Sequence, residues 1–324
     1  MSRKSFLAVV AAAMAVVGSA MPAFAEWPEK AITIVVGNPP GGPTDIFARM
    51  IGPEIEKRLG RNVIVENKPG GAGIVSGQYV LSQPADGYTL WMSAPTHLVL
   101  QTLVRTPPPY TLDDFAPVVA VSYGAGALMV NADTGIKTVQ DLVDRAKAEP
   151  GKLNYASTGI GSTAHISFER IKDILGVDIA HIPYAGGAPA FAAVLSGEAD
   201  MLTADIGTAK DALQSGKLTA LAVLGPSRDA SLPDVPTADE TGLLPGYEAL
   251  FYLGLVAPKG TDPDAIRKVN EAVNEALKDP KLTEKIAALN YTPLGGTPEA
   301  FGEMMVKDAE ASKPIVSRLG IKVE

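Results

Sequence analysis

Short apolar runs rich in β-branched residues alternate with amphipathic stretches along most of this chain. AITIVVG (31–37) is apolar almost throughout and flanked by turn residues, the pattern of a strand buried on both faces. After NPPGGPTD, the residues Phe47, Met50 or Ile51, Ile55 and Leu59 recur every three to four positions, predicting a helix from about Thr44 to Leu59. Thr44 or Asp45 is placed to cap it, and Pro53 to kink or split it. NVIVE (62–66) reads as the next strand, 74–83 as a second helix and YTLWMS (88–93) as a third strand.

The alternation resumes further on. Residues 127–131 predict a strand, and 138–148 a helix opened by a Thr-x-x-Asp capping box. Then come a strand at 153–157, a helix at 162–175, a strand at 179–182, a helix at 187–196, and short strands at 201–204 and 220–224. Residues 229–246, rich in Pro, Asp and Gly, read as a long surface segment before a strand at 252–257. The plainest amphipathic helix is 263–278, with Ile266, Val269, Val273 and Leu277 on one face. Strand, loop and helix in alternation specify an α/β fold of mostly parallel sheet flanked by helices.

The first 25 residues stand apart. Arg3 and Lys4, an apolar run from Phe6 to Val17 and Ala23-Phe24-Ala25 form a secretory signal peptide, with cleavage expected after Ala25. Removing 25 of the 324 residues leaves 299, enough for two domains, and takes the formal charge from −8 to −10. An acidic chain without basic clusters is poorly suited to nucleic acid or an anionic membrane surface. Any anion it binds must be captured locally, against the overall field. Without a single cysteine, an exported chain has to rely on a packed core rather than a disulfide scaffold.

Two glycine-led loops carry the candidate chemistry: PPGGPTD at 39–45 and STGIGSTAH at 157–165, each between a strand and a helix. A helix start exposes unpaired amides and a partial positive charge, and glycines let a ligand approach them. Facing each other from two lobes, such loops would hold an anion at the carboxyl ends of strands. GIGST has no lysine, so it is no Walker loop, and no acidic residue follows the next strand as a dinucleotide fingerprint requires. GIGSTAH lacks the second glycine of a nucleophile elbow, so Ser162 and His165 do not make a serine hydrolase signature. Histidines occur only at 97, 165 and 181, without ligand spacing for a metal, and no cofactor is expected. What remains is an uncharged cradle of hydroxyls and amides, suited to a carboxylate captured without arginine.

The ordered motifs PPGGPTD and FAR, VENKPGGAG, ADGYTL, YASTGIGSTAHIS, IPYAGGAPA, LSGEADM and LAVLGPSRDASLPDVPTADETGLLPGYE extend this reading. Together they resemble the Bug family, the TctC-like periplasmic receptors of tripartite tricarboxylate transporters, over essentially residues 26–324. The resemblance implies a two-lobed, type II-like periplasmic-binding-protein fold that closes on a small carboxylate held by amides, hydroxyls and water. It implies ligand-binding roles for Pro40, Gly41, Gly42, Thr44 and Asp45 in the first loop, with Ser93 and Thr96 after the third strand. In the second lobe it implies Ser157, Gly159, Ser162, Thr163 and His165, then Tyr184, Ala185 and Gly187, and Asp205 after a later strand. Pro43 stands where the family commonly has glycine, and it removes one amide from the cradle.

The expectation is a monomeric periplasmic receptor that delivers a small mono-, di- or tricarboxylate to membrane transporter subunits. Its lobes are expected at 26–123 with 247–324 and at 124–246, hinged near 120–127 and 224–252. The alternatives are a sensor reporting to a membrane kinase, and an enzyme acting on a carboxylate.

Overall fold

The computed structural model describes residues 27–322, so the expected signal peptide lies outside the described residues. β1 (Ile32–Val36), β2 (Val63–Asn67) and β3 (Thr89–Ser93) pair in parallel, connected through α1 (Pro43–Leu59) and α2 (Ile74–Leu81). After α3 (Pro95–Val104) comes the long strand β4 (Phe115–Asn131). A second parallel set, β5 (Asn154–Ser157), β6 (Ala180–Pro183) and β7 (Met201–Asp205), follows α4 (Val139–Ala148). It is interleaved with α5 (Thr163–Leu175) and α6 (Gly187–Ser196), and leads into α7 (Ile206–Gln214) and β8 (Leu218–Val223). The chain returns through β9 (Leu250–Pro258), α8 (Pro263–Ala276), α9 (Pro280–Ala288), β10 (Thr292–Gly295) and α10 (Pro298–Leu319).

β4 is the shared strand. Its residues from Phe115 to Ala125 pair antiparallel with β9, and Ala120 to Tyr123 also meet β10. From Gly126 onward it pairs instead with β7 on one side and β8 on the other. The strand order is therefore β2-β1-β3-β9-β4-β7-β5-β6, with β4 passing from one half of the sheet into the other. Gly124 sits at that passage. A Cβ there would lie 3.0 Å from the Asp205 carboxylate and 3.2 Å from the Tyr291 ring.

Each half has its own core. Ile34, Val36, Phe47, Leu90, Met92, Val119, Leu255 and Val273 are packed together in the first. Leu128, Val130, Tyr155, Phe168, Met201 and Leu221 fill the second. Complete burial of these β-branched and aromatic side chains supplies the main driving force for a fold without cross-links. A smaller cluster joins the halves: Leu100 and Val104 of α3, Ile166 of α5, and Ile315, Val316 and Ile321 from and beyond α10. Beside it, Arg318 of α10 pairs with Glu169 at 3.3 Å and Asp173 at 2.9 Å on α5. Glu169 is buried and also accepts from the Tyr155 hydroxyl at 2.8 Å and Lys172 at 2.6 Å.

Local rules account for many boundaries. The capping box of α4 forms as expected: the Asp141 amide donates to the Thr138 hydroxyl, and the Asp141 carboxylate accepts from the Thr138 amide. α1 differs from its expectation. It begins one residue earlier, with Gly42 as N-cap and Pro43 at the first helical position, where a missing amide costs nothing. Asp45 instead reaches back to accept from the Gly41 amide at 2.9 Å. Pro53 does not split this helix; it occupies an exposed position, so its ring and the carbonyl it leaves unpaired face solvent.

Candidate functional site

A cavity of about 750 Å³ opens between the two halves, against the passage of β4 at Gly126 and beyond the carboxyl ends of β5 and β7. Five helices point their first turns at it. Pro43, Ile46 and Phe47 come from α1, Pro95 and Thr96 from α3, Thr163 and Ala164 from α5, Gly187 and Ala190 from α6, and Gly207 and Thr208 from α7. Each start carries roughly half a positive charge on amides that no helical carbonyl accepts.

The hydrogen bonds show which amides are left. In α1 the Ile46 amide makes the first helical bond, to Gly42 O at 2.9 Å, which leaves those of Thr44 and Asp45 without a helical partner. In α5 the Ile166 amide bonds Ser162 O at 3.0 Å, the His165 amide bonds the Ser162 hydroxyl at 3.2 Å, and the Gly161 amide bonds His165 Nδ1 at 3.0 Å. The amides of Thr163 and Ala164 remain, and the buried Thr163 hydroxyl has no partner among the described residues. Asp205 caps α7, its Oδ1 accepting from the Thr208 amide at 3.2 Å, while its buried Oδ2 has no partner among the described residues. Burial raises the pKa of this carboxyl above the usual range.

The loop before α5 is braced from below. The Ser157 hydroxyl lies 2.7 Å from His181 Nε2, which parallel pairing of β5 with β6 brings alongside. It also accepts from the Gly159 amide at 3.1 Å and donates to Gly159 O at 3.2 Å. With a proton on His181 Nε2, every one of these bonds is satisfied and the pair braces the loop. His181 stacks on His165 at 4.0 Å and on Tyr155 at 4.8 Å. Burial holds both imidazoles below their ordinary pKa, His181 at about 4, so the cradle carries no imidazolium at neutral pH. Ser162 and His165 are likewise spent on capping and on the loop backbone.

Of the positions implied by resemblance, Thr96, Ser157, Thr163, Gly187 and Asp205 line the cavity wall. Pro43 lines it too. Pro40, Gly41, Gly42, Thr44, Asp45, Ser93, Gly159, Ser162, His165, Tyr184 and Ala185 are not among its lining residues. Asp45 is buried and bonds Gly41, Arg49 and Asn67, which depress its pKa. Tyr184 donates to Glu198 at 2.9 Å.

The wall also holds groups that sequence reading passed over: Arg170 and Ser167 of α5, Asp308 and Ser312 of α10, and the apolar Phe47, Leu100, Phe191 and Leu250. Arg170 corrects one expectation, because the cavity does possess a cationic side chain. Its only sequence signal is helical spacing: Thr163, Ser167 and Arg170 fall at i, i+4 and i+7, on one face.

Two α/β halves joined by the long shared strand β4, with helix starts converging on the space between them, define a two-lobed solute receptor of the periplasmic-binding-protein type. Residues 47–321 match the family described as tripartite tricarboxylate transporter family receptor, and the chain belongs to that family. The chain is 32% identical to BugT of Bordetella pertussis, with all of both chains covered. A Rhodopseudomonas palustris protein solved with adipate is 30% identical with a TM-score of 0.73, the match covering 92% of this chain and 99% of that one. MatC from Rhodopseudomonas palustris with bound malate is 28% identical with a TM-score of 0.70, covering 90% of this chain and all of the other. The family consists of periplasmic solute-binding receptors and not of enzymes.

Proposed function

We propose that this protein captures a small organic acid in the cavity, by at least one carboxylate, and delivers it to the membrane subunits of a tripartite tricarboxylate transporter. The observation that carries the reading is the convergence of five helix starts on one space, with the Thr163 and Ala164 amides and the Thr163 hydroxyl unspent. A planar anion needs two or three such donors, already oriented and needing little reorganisation.

In this reading the chain acts in the periplasm as a monomer, after cleavage behind Ala25. Its lobes are 26–123 with 247–324 and 124–246, and the hinge runs through 120–127 and 224–252, where β4 changes partners and β9 begins. Ligand carboxylates are held by the first turns of α1 and α5, and Asp205 accepts from a ligand hydroxyl or from water. Thermal shift against a broad panel of mono-, di- and tricarboxylates tests the proposal, backed by mass spectrometry of ligand that co-purifies with the protein. A rise in melting temperature that scales with acid concentration, without turnover, is the expected result. No stabilisation by any acid would remove the proposal.

A further inference from the structure

Arg170 is a cationic group in the cavity wall that the helix-start cradle does not use. It lies on the same face of α5 as Thr163 but seven residues on, about 10 Å along the helix axis. Helical side chains lean toward the N-terminus, which for α5 is the cradle end. Among the described residues it makes no ion pair and no hydrogen bond. Its guanidinium rests over the Tyr247 ring, 5.0 Å from the centroid. That ring is fixed by two hydrogen bonds between the Tyr247 hydroxyl and Ser167, 2.7 Å to the side chain and 2.8 Å to the carbonyl. An unspent cation, already oriented on a rigid ring and facing a cavity, is poised for a planar anion. Ile166, Leu100 and Leu250 contribute apolar wall to the same space.

Asp308 is the competing charge. Burial raises its pKa, offset in part by Arg170 and by hydrogen bonds with Tyr252 and Ser312, and the Tyr252 hydroxyl donates to it at 3.2 Å. The carboxyl is thus turned to its own helix and to β9, and it leaves the Arg170 donors open.

Resting on the proposed carboxylate reading, we infer that Arg170 reads a second carboxylate at the far end of an elongated ligand. The preferred ligand is then a diacid whose charges are separated by an extended chain or ring, with an apolar middle.

Calorimetry on the full protein with adipate, pimelate, suberate and azelate, each against the monocarboxylate of equal length, tests this. At least one diacid is expected to bind about tenfold or more tighter than its monoacid. Arg170→Gln abolishes that preference, so diacid affinity falls about tenfold or more relative to monoacid affinity, while Arg170→Lys recovers part of it. Circular dichroism on the same samples confirms that the variants fold. If neither series binds the unmodified protein, the carboxylate reading falls and this inference with it. If acids bind but the diacid preference is missing, or survives Arg170→Gln, only the second pole is wrong. Loss of the preference in Asp308→Asn but not in Arg170→Gln would also overturn it.

Discussion

Acidification should destabilise this protein through His97, and the size of the effect can be worked out. The ring is 5% exposed, its Nδ1 has no partner among the described residues, and it stacks on Trp91 with centroids 6.3 Å apart. It is wedged so tightly that a Cβ on Gly73 would lie 2.7 Å from its Cγ. Burial without a partner penalises the charged form and lowers the pKa from 6.5 to about 4. The folded state therefore binds fewer protons than the unfolded chain between those two values. The stability involved is fully present above pH 6.5 and is lost as pH falls toward 4. At pH 5 the loss is about 2 kcal/mol relative to neutrality, approaching about 3 kcal/mol below pH 4. Urea unfolding of the unmodified protein and of His97→Leu, each at pH 7 and pH 5, measures it. Other histidines and carboxylates titrate in both proteins and largely cancel in the difference. The variant should gain about 2 kcal/mol relative to the parent on going to pH 5. Stabilities that fall in parallel, within about 0.5 kcal/mol, would refute the reasoning.

Three further outcomes follow from the site and from the Glu169 contacts on α5. Thr163→Val removes a buried hydroxyl that satisfies nothing, so stability in urea should hold or rise slightly while carboxylate affinity drops about tenfold by calorimetry. Pro43→Gly restores an amide at the first turn of α1 and should tighten carboxylate binding several-fold, at a cost of about 1 kcal/mol in urea from the freer unfolded chain. Glu169→Ala strands the Tyr155 hydroxyl and Lys172, and should lower unfolding free energy by about 3 kcal/mol.

What the sequence disclosed was local. The run of β1, the box at Thr138 and Asp141 and the loop before α5 depend on neighbours within a few residues, and their signals survive in the linear chain. β4 was legible only from Ala127 on. In the sheet Pro117 borders a register shift, and Gly124 and Gly126 mark the passage between halves. Ser157 and His181 are 24 residues apart and meet only because two strands run in parallel register. Arg170 resembles any solvent-facing helix residue until Tyr247 and α10 are placed around it. α10 itself gave no expectation, since its role lies in which two helices it touches.

The free donors at the helix starts are peptide groups, which a substitution leaves in place unless it introduces proline, as at Pro43. Most substitutions can recolour the walls around the helix starts and leave those amides as they are. Proteins only about 30% identical to this chain, solved with adipate and with malate, share its architecture. Under the proposed reading, such a scaffold leaves selection free to work on ligand choice through the side chains of the wall.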